Sequence, residues 1–389
     1  MRIIVPFAVL AIFQPLAAWS QAAPAANAAA TNAAYLAVRA QFENPANRFE
    51  YASIAQQLRD VLEVAPDAHD ARLLRVAALI KAGDRRAAGE EMKRVVAARD
   101  KLDETQHLRL RVLAANLAGK PQEEIRFLTQ LVDREPENRW LQYELARANA
   151  DLEAYALVVQ HIEQALALDN PGDRWEASWL HCLHSKALLR GGGDPRAAVA
   201  AALAGRGEAT TWQPTLYRLA LAQYASGDAD GGGKSLDEYV ESVRREGRMS
   251  EGAIQRNLGL FFYELRDYKQ AEKHLRDGLE LGPESTYTLR ALGYLLIEKP
   301  GGLAEGKALI ERGLEKAPND ADLLDARGWA LYRENRAAEG YSWLRRAQLA
   351  GGGYSQRIAD HLAAVAAELK DSRRPPAPHT RWLQASADY

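Results

Sequence analysis

Apolar and small residues recur at a fixed interval in the last third of the chain. Between residues 255 and 353, a glycine in each period is followed three positions later by a large apolar side chain. The spacing is 34 positions from Gly259 to Gly293 and 35 positions from Gly293 to Gly328. A period of this size predicts helix pairs that stack on one another, because one pair alone cannot bury its apolar face.

The same pattern continues, less regularly, toward the N-terminus. Pro136 and Asn170 lie 34 positions apart, so the period already operates there, and Gly and Pro clusters separate the apolar stretches. Outside the regular region, the pattern predicts helices at residues 35–42, 51–64, 70–82, 86–98, 108–118, 122–132, 139–152, 154–168, 175–189, 195–204, 214–225, 230–244 and 356–370.

These elements predict an all-α chain with six segments. The segments are a secretory signal (1–22), a flexible Ala-rich lead-in (23–34), degenerate helix pairs (35–246), regular repeats (252–353), a capping helix (354–371) and a disordered tail (372–389). A last helix with a polar outer face covers the apolar end of an array. In the tail, Pro375, Pro376 and Pro378 oppose regular structure.

Glycines inside the predicted helices indicate close packing, since glycine weakens an isolated helix. We expect Gly259 to let the two antiparallel helices of one pair approach each other, and Gly278 to do the same against the next pair. Leu258 and Leu275 would fill the space between the helices. Pro283 cannot continue a helix and would set the break between pairs.

The N-terminal residues have the order of a secretory signal. Arg2 precedes an apolar run at residues 3–13, and small residues follow from residue 17 onward. We place cleavage after Ala22, with Ala18 and Ala23 as alternatives, which makes the mature protein periplasmic or secreted. An uncleaved membrane anchor is the competing interpretation, although the apolar run is short for a spanning helix. No cysteine lies near the cleavage site, so a lipoprotein anchor is excluded.

Composition narrows the classes of partner. The chain has 50 Lys and Arg against 52 Asp and Glu, a balance that argues against a general nucleic-acid binder. Hydrophobic residues make up 47% and charged residues 26% of the 389 residues, as expected for an ordinary folded protein. Cys182 is the single cysteine, so no intrachain disulfide can form.

The repeated residues resemble those of the tetratricopeptide repeat (TPR). The first regular repeat reads Leu258-Gly259-x-x-Phe262, then Ala271, Leu275, Gly278 and Pro283, and later repeats carry Leu292-Gly293-Tyr294 and Gly328-Trp329-Ala330-Leu331-Tyr332. The last two repeats look like the C-terminal end of envelope TPR proteins of Gram-negative bacteria. The resemblance implies a right-handed superhelical solenoid with a groove lined by the first helix of each pair. It also implies peptide or protein binding without catalysis.

If residues 255–283 form such a repeat, Arg256 falls on the groove side of its first helix, and Arg290 takes the equivalent place 34 positions later. Arginines and aromatic rings are what peptide grooves use, for carboxylate binding and for contact area. The candidate groove residues are Arg256, Asn257, Arg290, Tyr143, Tyr217, Tyr224, Tyr263, Tyr294 and Trp329. The competing interpretation is that the rings pack between repeats and that the arginines are solvated.

Two further motifs carry less weight. His181 and His184, with Cys182 between them, have a helical spacing that could contact one metal ion, but no acidic or further His or Cys partner lies nearby in sequence. The segment from Gly301 to Lys307 imitates a phosphate loop, yet Ala308 stands where Ser or Thr must bind magnesium. We therefore predict no metal, no nucleotide and no other cofactor.

Two functional hypotheses follow. The first is a non-catalytic scaffold that binds a peptide or protein, an adaptor in an envelope assembly or export system. The alternative is an accessory subunit of a polysaccharide or cell-wall system that contacts glycan through aromatic residues of the groove. No nucleophile elbow, paired-carboxylate signature or zinc-protease helix is present to suggest an enzyme.

Overall fold

The computed structural model describes residues 24–44, 50–168, 174–207, 213–350 and 355–370. Within these ranges the regular structure is entirely helical. The helices are α1 (Pro24–Phe42), α2 (Tyr51–Val64), α3 (His69–Lys81), α4 (Arg85–Ala97), α5 (Glu104–Leu117), α6 (Pro121–Arg134), α7 (Arg139–Asp151), α8 (Tyr155–Ala167), α9 (Arg174–Arg190), α10 (Pro195–Arg206), α11 (Gln213–Ala225), α12 (Ala229–Glu246), α13 (Glu251–Glu264), α14 (Tyr268–Leu281), α15 (Thr286–Glu298), α16 (Leu303–Lys316), α17 (Ala321–Arg333), α18 (Ala337–Ala350) and α19 (Gln356–Lys370).

The helices confirm the all-α prediction, and the bounds of α2 and α19 are those that the sequence predicts. One segment differs: α1 begins at Pro24, so residues 24–34 are helical where we predicted a flexible lead-in. The physical reason is the run of alanines, which have the highest intrinsic helix propensity. The predicted signal and tail lie outside the described residues. No helix in the described ranges has the length and apolarity to span a bilayer.

The chain divides into two compact units. The first ends at Ala97 and the second begins at Ala98. In the first unit, α2 packs against α1 and α3, and α3 packs against α4. Ile54 and Val76 are fully buried there. Buried Glu91 accepts a hydrogen bond from Arg72 at 2.7 Å, which ties α4 to α3.

The second unit, α5 to α19, is a series of antiparallel helix pairs in which each pair packs on the next. We call the members of a pair the first and second helix; α13, α15 and α17 are first helices and α14, α16 and α18 their second helices. Side chains of Asp or Ser accept a backbone N–H at the start of α13, α14, α15 and α17, which fixes where these helices begin.

The turn between the two helices of a pair has one recurring geometry. From α3–α4 onward, each such turn contains a residue in the left-handed region. These residues are Gly83, Gly119, Glu153, Gly192, Gly227, Arg266, Gly301 and Asn335. Gly301 therefore serves a turn in the segment that imitates a phosphate loop. Glycine suits this backbone conformation, and the three non-glycine residues are held there by the packing of the pair.

Glycines bring the two helices of a pair into backbone contact. A Cβ on Gly259 would lie 2.6 Å from Cγ of Leu275, and one on Gly306 would lie 2.7 Å from the carbonyl oxygen of Gly293. Gly278 faces Gly252 of its own pair, so our expectation that it contacts the next pair is wrong. Helices α13 and α14 run antiparallel along their whole length, so Gly278 of α14 lies opposite α13.

We expect Gly306→Ala to lower the free energy of unfolding by about 2 kcal/mol, because two backbone atoms must move to admit the methyl group. These atoms are the carbonyl oxygen of Gly293 and the amide nitrogen of Ile297, which would lie 2.7 and 2.8 Å from the added Cβ. Urea denaturation followed by circular dichroism measures the change.

Gly89, in the second helix α4, is the matched control. No atom lies within 4 Å of a Cβ placed there. Because alanine is the better helix former, Gly89→Ala should raise the free energy of unfolding by about 0.8 kcal/mol. Equal effects of the two substitutions would contradict the close-packing interpretation of Gly306.

Candidate functional site

Successive first helices of the second unit contact one another along one side, which we call the first-helix face. On this face Arg290 of α15 binds Asp322 of α17, with Nη1 2.7 Å from Oδ2. Trp329 of α17 donates its indole N–H to Glu298 of α15 at 2.5 Å. The face is therefore polar, and its charged groups are connected from helix to helix.

The most exposed aromatic ring on this face is Tyr287, at 44%. The guanidinium carbon of Arg256 lies 5.4 Å from the ring centroid, and that of Arg290 lies 5.5 Å from it. Both distances fall within the range of cation–π attraction. The first-helix face therefore carries an accessible ring held between two guanidinium groups.

Both arginines are held in place by neighbouring side chains. Arg290 is positioned by Asp322, as described above, and its side chain is only 12% exposed. Arg256 donates through Nη2 to Oδ1 of Asn257 at 2.9 Å. Asn257 in turn donates to the hydroxyl of Tyr239 at 3.0 Å and is itself buried. The two guanidinium groups are therefore ordered before any partner binds.

A buried ionic network lies behind Asp322. Arg357 of α19 binds Asp322, and it donates through Nε to Oδ2 of Asp325 at 3.0 Å. The hydroxyl of Tyr294 donates to the same Asp325 oxygen. Nδ1 of His361 lies 2.9 Å from Oδ1 of Asp325. Through Asp322, the network connects Arg290 of α15 to the buried side chains of α19.

The network shifts the pKa values of its members, including those of Asp325 and Tyr294. Burial alone would raise the pKa of the Asp325 carboxyl, but its interactions with His361 and Arg357 outweigh burial and hold the pKa below the ordinary value. Burial raises the pKa of Tyr294 well above its usual range, so the phenol stays neutral and donates. Asp325 is thus a charged acceptor of hydrogen bonds in a dry interior.

The structure corrects the prediction that Tyr294 and Trp329 line a groove. Tyr294 is 2% exposed and Trp329 is 0% exposed. The Trp329 ring stacks on His361, with centroids 4.0 Å apart and planes 7° apart. Because successive first helices touch, these side chains fill the space between helices and present no ring to solvent.

Two further predicted groove residues also pack between helices. Tyr217 is buried, with its ring edge-on to Phe261 at 5.3 Å and to Tyr239 at 5.4 Å. Tyr224 also packs edge-on against Phe261, with centroids 5.8 Å apart. These contacts join α11 to α13, which explains the aromatic residues without a ligand.

The two remaining predicted tyrosines form local ring contacts. The hydroxyl of Tyr143 accepts a hydrogen bond from Nε1 of Trp179 at 3.2 Å, and its ring lies against Trp140 at 4.9 Å. Tyr263 is buried against Tyr268 of α14, with centroids 5.3 Å apart. The packing interpretation therefore describes all six predicted rings, while Arg256 and Arg290 do converge on one surface point.

Tyr287, the ring between those two arginines, is not among the residues predicted from the sequence. Its spacing carries the signal: Tyr287 precedes Arg290 by three positions, so both lie on the same side of α15. A second charged group is likewise not predicted, in which Glu264 lies 3.4 Å from Arg218 and 3.8 Å from Arg190. That group joins α9, α11 and α13, helices that are distant in sequence.

The two histidines considered as metal ligands occupy a partly buried helix surface. Burial lowers the pKa of both His181 and His184. Nε2 of His184 lies 3.7 Å from Glu163, and Sγ of Cys182 lies 3.4 Å from the hydroxyl of Thr215. The described part of the chain contains no group of three His, Cys, Asp or Glu residues that could hold a metal ion.

Comparison with known proteins supports the repeat character of the chain. It is 30% identical over 132 residues to a TPR repeat-containing protein of Pseudomonas aeruginosa. The match covers 34% of this chain and 20% of that protein, so the chain spans about a fifth of its relative's length. No protein-family model matches. The chain is therefore similar to TPR proteins in sequence over about a third of its length.

Several solved structures are similar to parts of this chain. The Cut9–Hcn1 hetero-tetramer of the APC/C has a TM-score of 0.45 and 13% identity, covering 82% of this chain and 53% of that one. A TPR protein from Parabacteroides merdae has a TM-score of 0.40 and 14% identity, covering 67% and 98%. MamA from Desulfovibrio magneticus RS-1 has a TM-score of 0.37 and 20% identity, covering 47% and 97%.

We expect Asp325→Asn to lower the free energy of unfolding near neutral pH by about 3 kcal/mol, because Arg357 loses a buried countercharge. The Asp325 pKa is depressed in the folded state, so its charge stabilises the fold above the unfolded pKa. This contribution disappears as the pH falls through the folded value. The difference in the free energy of unfolding between wild type and Asp325→Asn should therefore become smaller as the pH falls. Urea denaturation at several pH values measures this difference.

Asp133, an exposed residue on α6, is the control. Asp133→Asn should leave the free energy of unfolding within about 0.5 kcal/mol of wild type at each pH. A constant difference between wild type and Asp325→Asn at all pH values would show that the Asp325 charge is not what stabilises the network.

Proposed function

We propose that the second unit is a non-catalytic scaffold that binds an extended, acidic segment of a partner protein on its first-helix face. The observation that carries this proposal is the exposed ring of Tyr287 between Arg256 and Arg290. A tyrosine offers a large contact area with little loss of conformational entropy, and a guanidinium group binds carboxylates through paired hydrogen bonds.

Ordering of the arginines supports binding at this point. Binding normally costs about 0.5–1.5 kcal/mol for each long side chain that becomes immobilised. Arg290 is already fixed by Asp322, and Arg256 is already bound to Asn257. A partner therefore meets guanidinium groups whose entropy was lost when the protein folded.

The proposed compartment is the cell envelope, and the proposed role there is that of an adaptor in an assembly or export system. The support is the sequence of residues 1–22, which has the charged, apolar and small-residue order of a secretory signal. A stack of helix pairs also suits an adaptor, because each added pair lengthens the binding surface without requiring a thicker core.

The glycan alternative receives less support. A sugar ring stacks on an aromatic face that is open to solvent. Trp329, one of the predicted groove aromatics, is 0% exposed, and His361 stacks on its ring. Tyr287 is accessible, but its two arginine neighbours favour an anionic ligand over a neutral sugar.

The proposal is tested in two steps. A photo-crosslinking amino acid at Ala253, the position one repeat before Tyr287, identifies the bound segment in an extract of native cells. The affinity of the mature chain for a fluorescent peptide of that segment is then measured by anisotropy. We expect Tyr287→Ala to weaken binding about thirtyfold, because it removes the central contact.

Tyr268 provides a matched control on α14, since its ring is 42% exposed, close to the 44% of Tyr287. Tyr268→Ala should change the affinity by no more than about twofold. A crosslinked segment without acidic residues, or equal binding by wild type and Tyr287→Ala, would refute the proposal.

A further inference from the structure

The turn between α12 and α13 carries one of the three methionines of the chain, which are Met1, Met92 and Met249. Met249 follows Gly247, which ends α12 in the left-handed conformation with a φ of 65°, and it precedes Ser250, whose side chain caps α13. Met249 is partly exposed, whereas Met92 in α4 is buried. Met249 is therefore the more accessible of the two methionines that the structure describes.

The sulfur of Met249 contacts a buried amide group. Nδ2 of Asn257 donates to Sδ of Met249 at 3.6 Å and to the hydroxyl of Tyr239 at 3.0 Å. A side-chain amide nitrogen has two N–H donors, so these two contacts account for both. A thioether sulfur is a weak acceptor, so the contact with Met249 is the weaker of the two. The orientation of the Asn257 amide therefore depends in part on the chemical state of Met249.

The other end of the same amide holds Arg256. Oδ1 of Asn257 accepts hydrogen bonds from Nη2 of Arg256 at 2.9 Å and from Nε at 3.3 Å. The guanidinium carbon of Arg256 lies 5.4 Å from the centroid of the Tyr287 ring. Because the amide is planar, a rotation that follows Nδ2 also moves Oδ1. A change at the Met249 sulfur is thus transmitted through one amide group to the arginine beside Tyr287.

The surroundings of Met249 are apolar on one side and open on the other. Its side chain packs against the buried cluster that includes Val243 of α12 and Ile254 of α13. Its neighbour Arg248 has a side chain that is 87% exposed. A sulfoxide oxygen placed against the cluster would lose hydration, which is unfavourable for a polar group. An oxidised Met249 side chain is therefore expected to leave the cluster for solvent and to give up its contact with Asn257.

We propose that Met249 is a site of reversible oxidation that releases Arg256 from Asn257 and thereby weakens binding at Tyr287. The effect on binding rests on the function proposed above, whereas the oxidation and the release of Arg256 do not.

The oxidant is a hydroperoxide, such as hydrogen peroxide. A lone pair on Sδ of Met249 attacks one peroxide oxygen, so that an S–O bond forms as the O–O bond breaks. The proton on the transferred oxygen passes to the departing hydroxide, which leaves as water. The sulfur loses two electrons, and the peroxide gains them. A methionine sulfoxide reductase reverses the change: a dithiol is oxidised to a disulfide, and the oxygen leaves as water.

The first experiment compares the two methionines within one molecule. The full chain is treated with dilute hydrogen peroxide, and peptide mapping by mass spectrometry gives the oxidation rate at each position. We expect Met249 to be oxidised about tenfold faster than Met92, because the buried thioether is shielded from the oxidant. Equal rates at the two positions would overturn the proposal.

The second experiment observes Arg256 without any partner. The Nε–H signal of Arg256 is assigned in the NMR spectrum by its loss in Arg256→Lys, and its hydrogen exchange with water is measured. Oxidation of Met249 should raise the exchange rate about fivefold, because Nε–H loses its acceptor on Asn257. Met92→Leu should respond to peroxide as wild type does, and Met249→Leu should not respond. An unchanged Nε–H signal in the oxidised chain would contradict the release of Arg256.

The third experiment measures the affinity of the chain for a fluorescent oligoglutamate peptide by anisotropy. Oxidised wild type should bind this peptide about fivefold more weakly than the reduced chain, and treatment with the reductase and a dithiol should restore the affinity. The affinity of Met249→Leu should be the same before and after peroxide. A gain of affinity on oxidation would show that the sulfoxide holds Asn257 more firmly, and an equal loss in Met249→Leu would place the effect at another residue. Either result overturns the proposal.

The outcomes separate this inference from the function proposed above. Equal binding by wild type and Tyr287→Ala, with Met249 oxidised first and Arg256 released, would refute only the proposed function. Weaker binding by Tyr287→Ala, with no response of Arg256 to oxidation, would refute only this inference.

Discussion

Close approach of the two helices in each pair is the constraint on which the regular repeats depend. A Cβ on Gly293 would lie 2.6 Å from Cδ1 of Ile310, and one on Gly328 would lie 2.8 Å from Cγ of Leu344. Only glycine leaves room for these large side chains, so the glycine and its partner recur together at each period. Backbone contact within a pair then fixes the direction of every other side chain on the two helices, including those that meet the next pair.

Contact between successive first helices decides how polar the candidate face is. Where such helices touch, their facing side chains lose water, so each charged group needs a partner. Asp322 is the partner of two such groups, since it binds both Arg290 and Arg357. The same ion pairs that join α15, α17 and α19 hold Arg290 beside Tyr287. The same carboxylate therefore contributes to the stability of this face and fixes the position of Arg290.

The Tyr287 site is a small aromatic and cationic point on an otherwise buried face. A point of this size suits the short extended segment that we propose as its ligand.

The sequence by itself determined the helical class, the period and most of the helix bounds, because these follow from local residue patterns: glycine, proline and capping residues act within a few positions. It also placed Arg256 and Arg290 on one face. It did not determine which rings on that face are exposed. Tyr287, Tyr294 and Trp329 have similar positions in the pattern, yet one is accessible and two are buried. Only the tertiary structure decided this, because exposure depends on how closely the neighbouring first helix packs, and that distance is set by side chains more than 30 positions away.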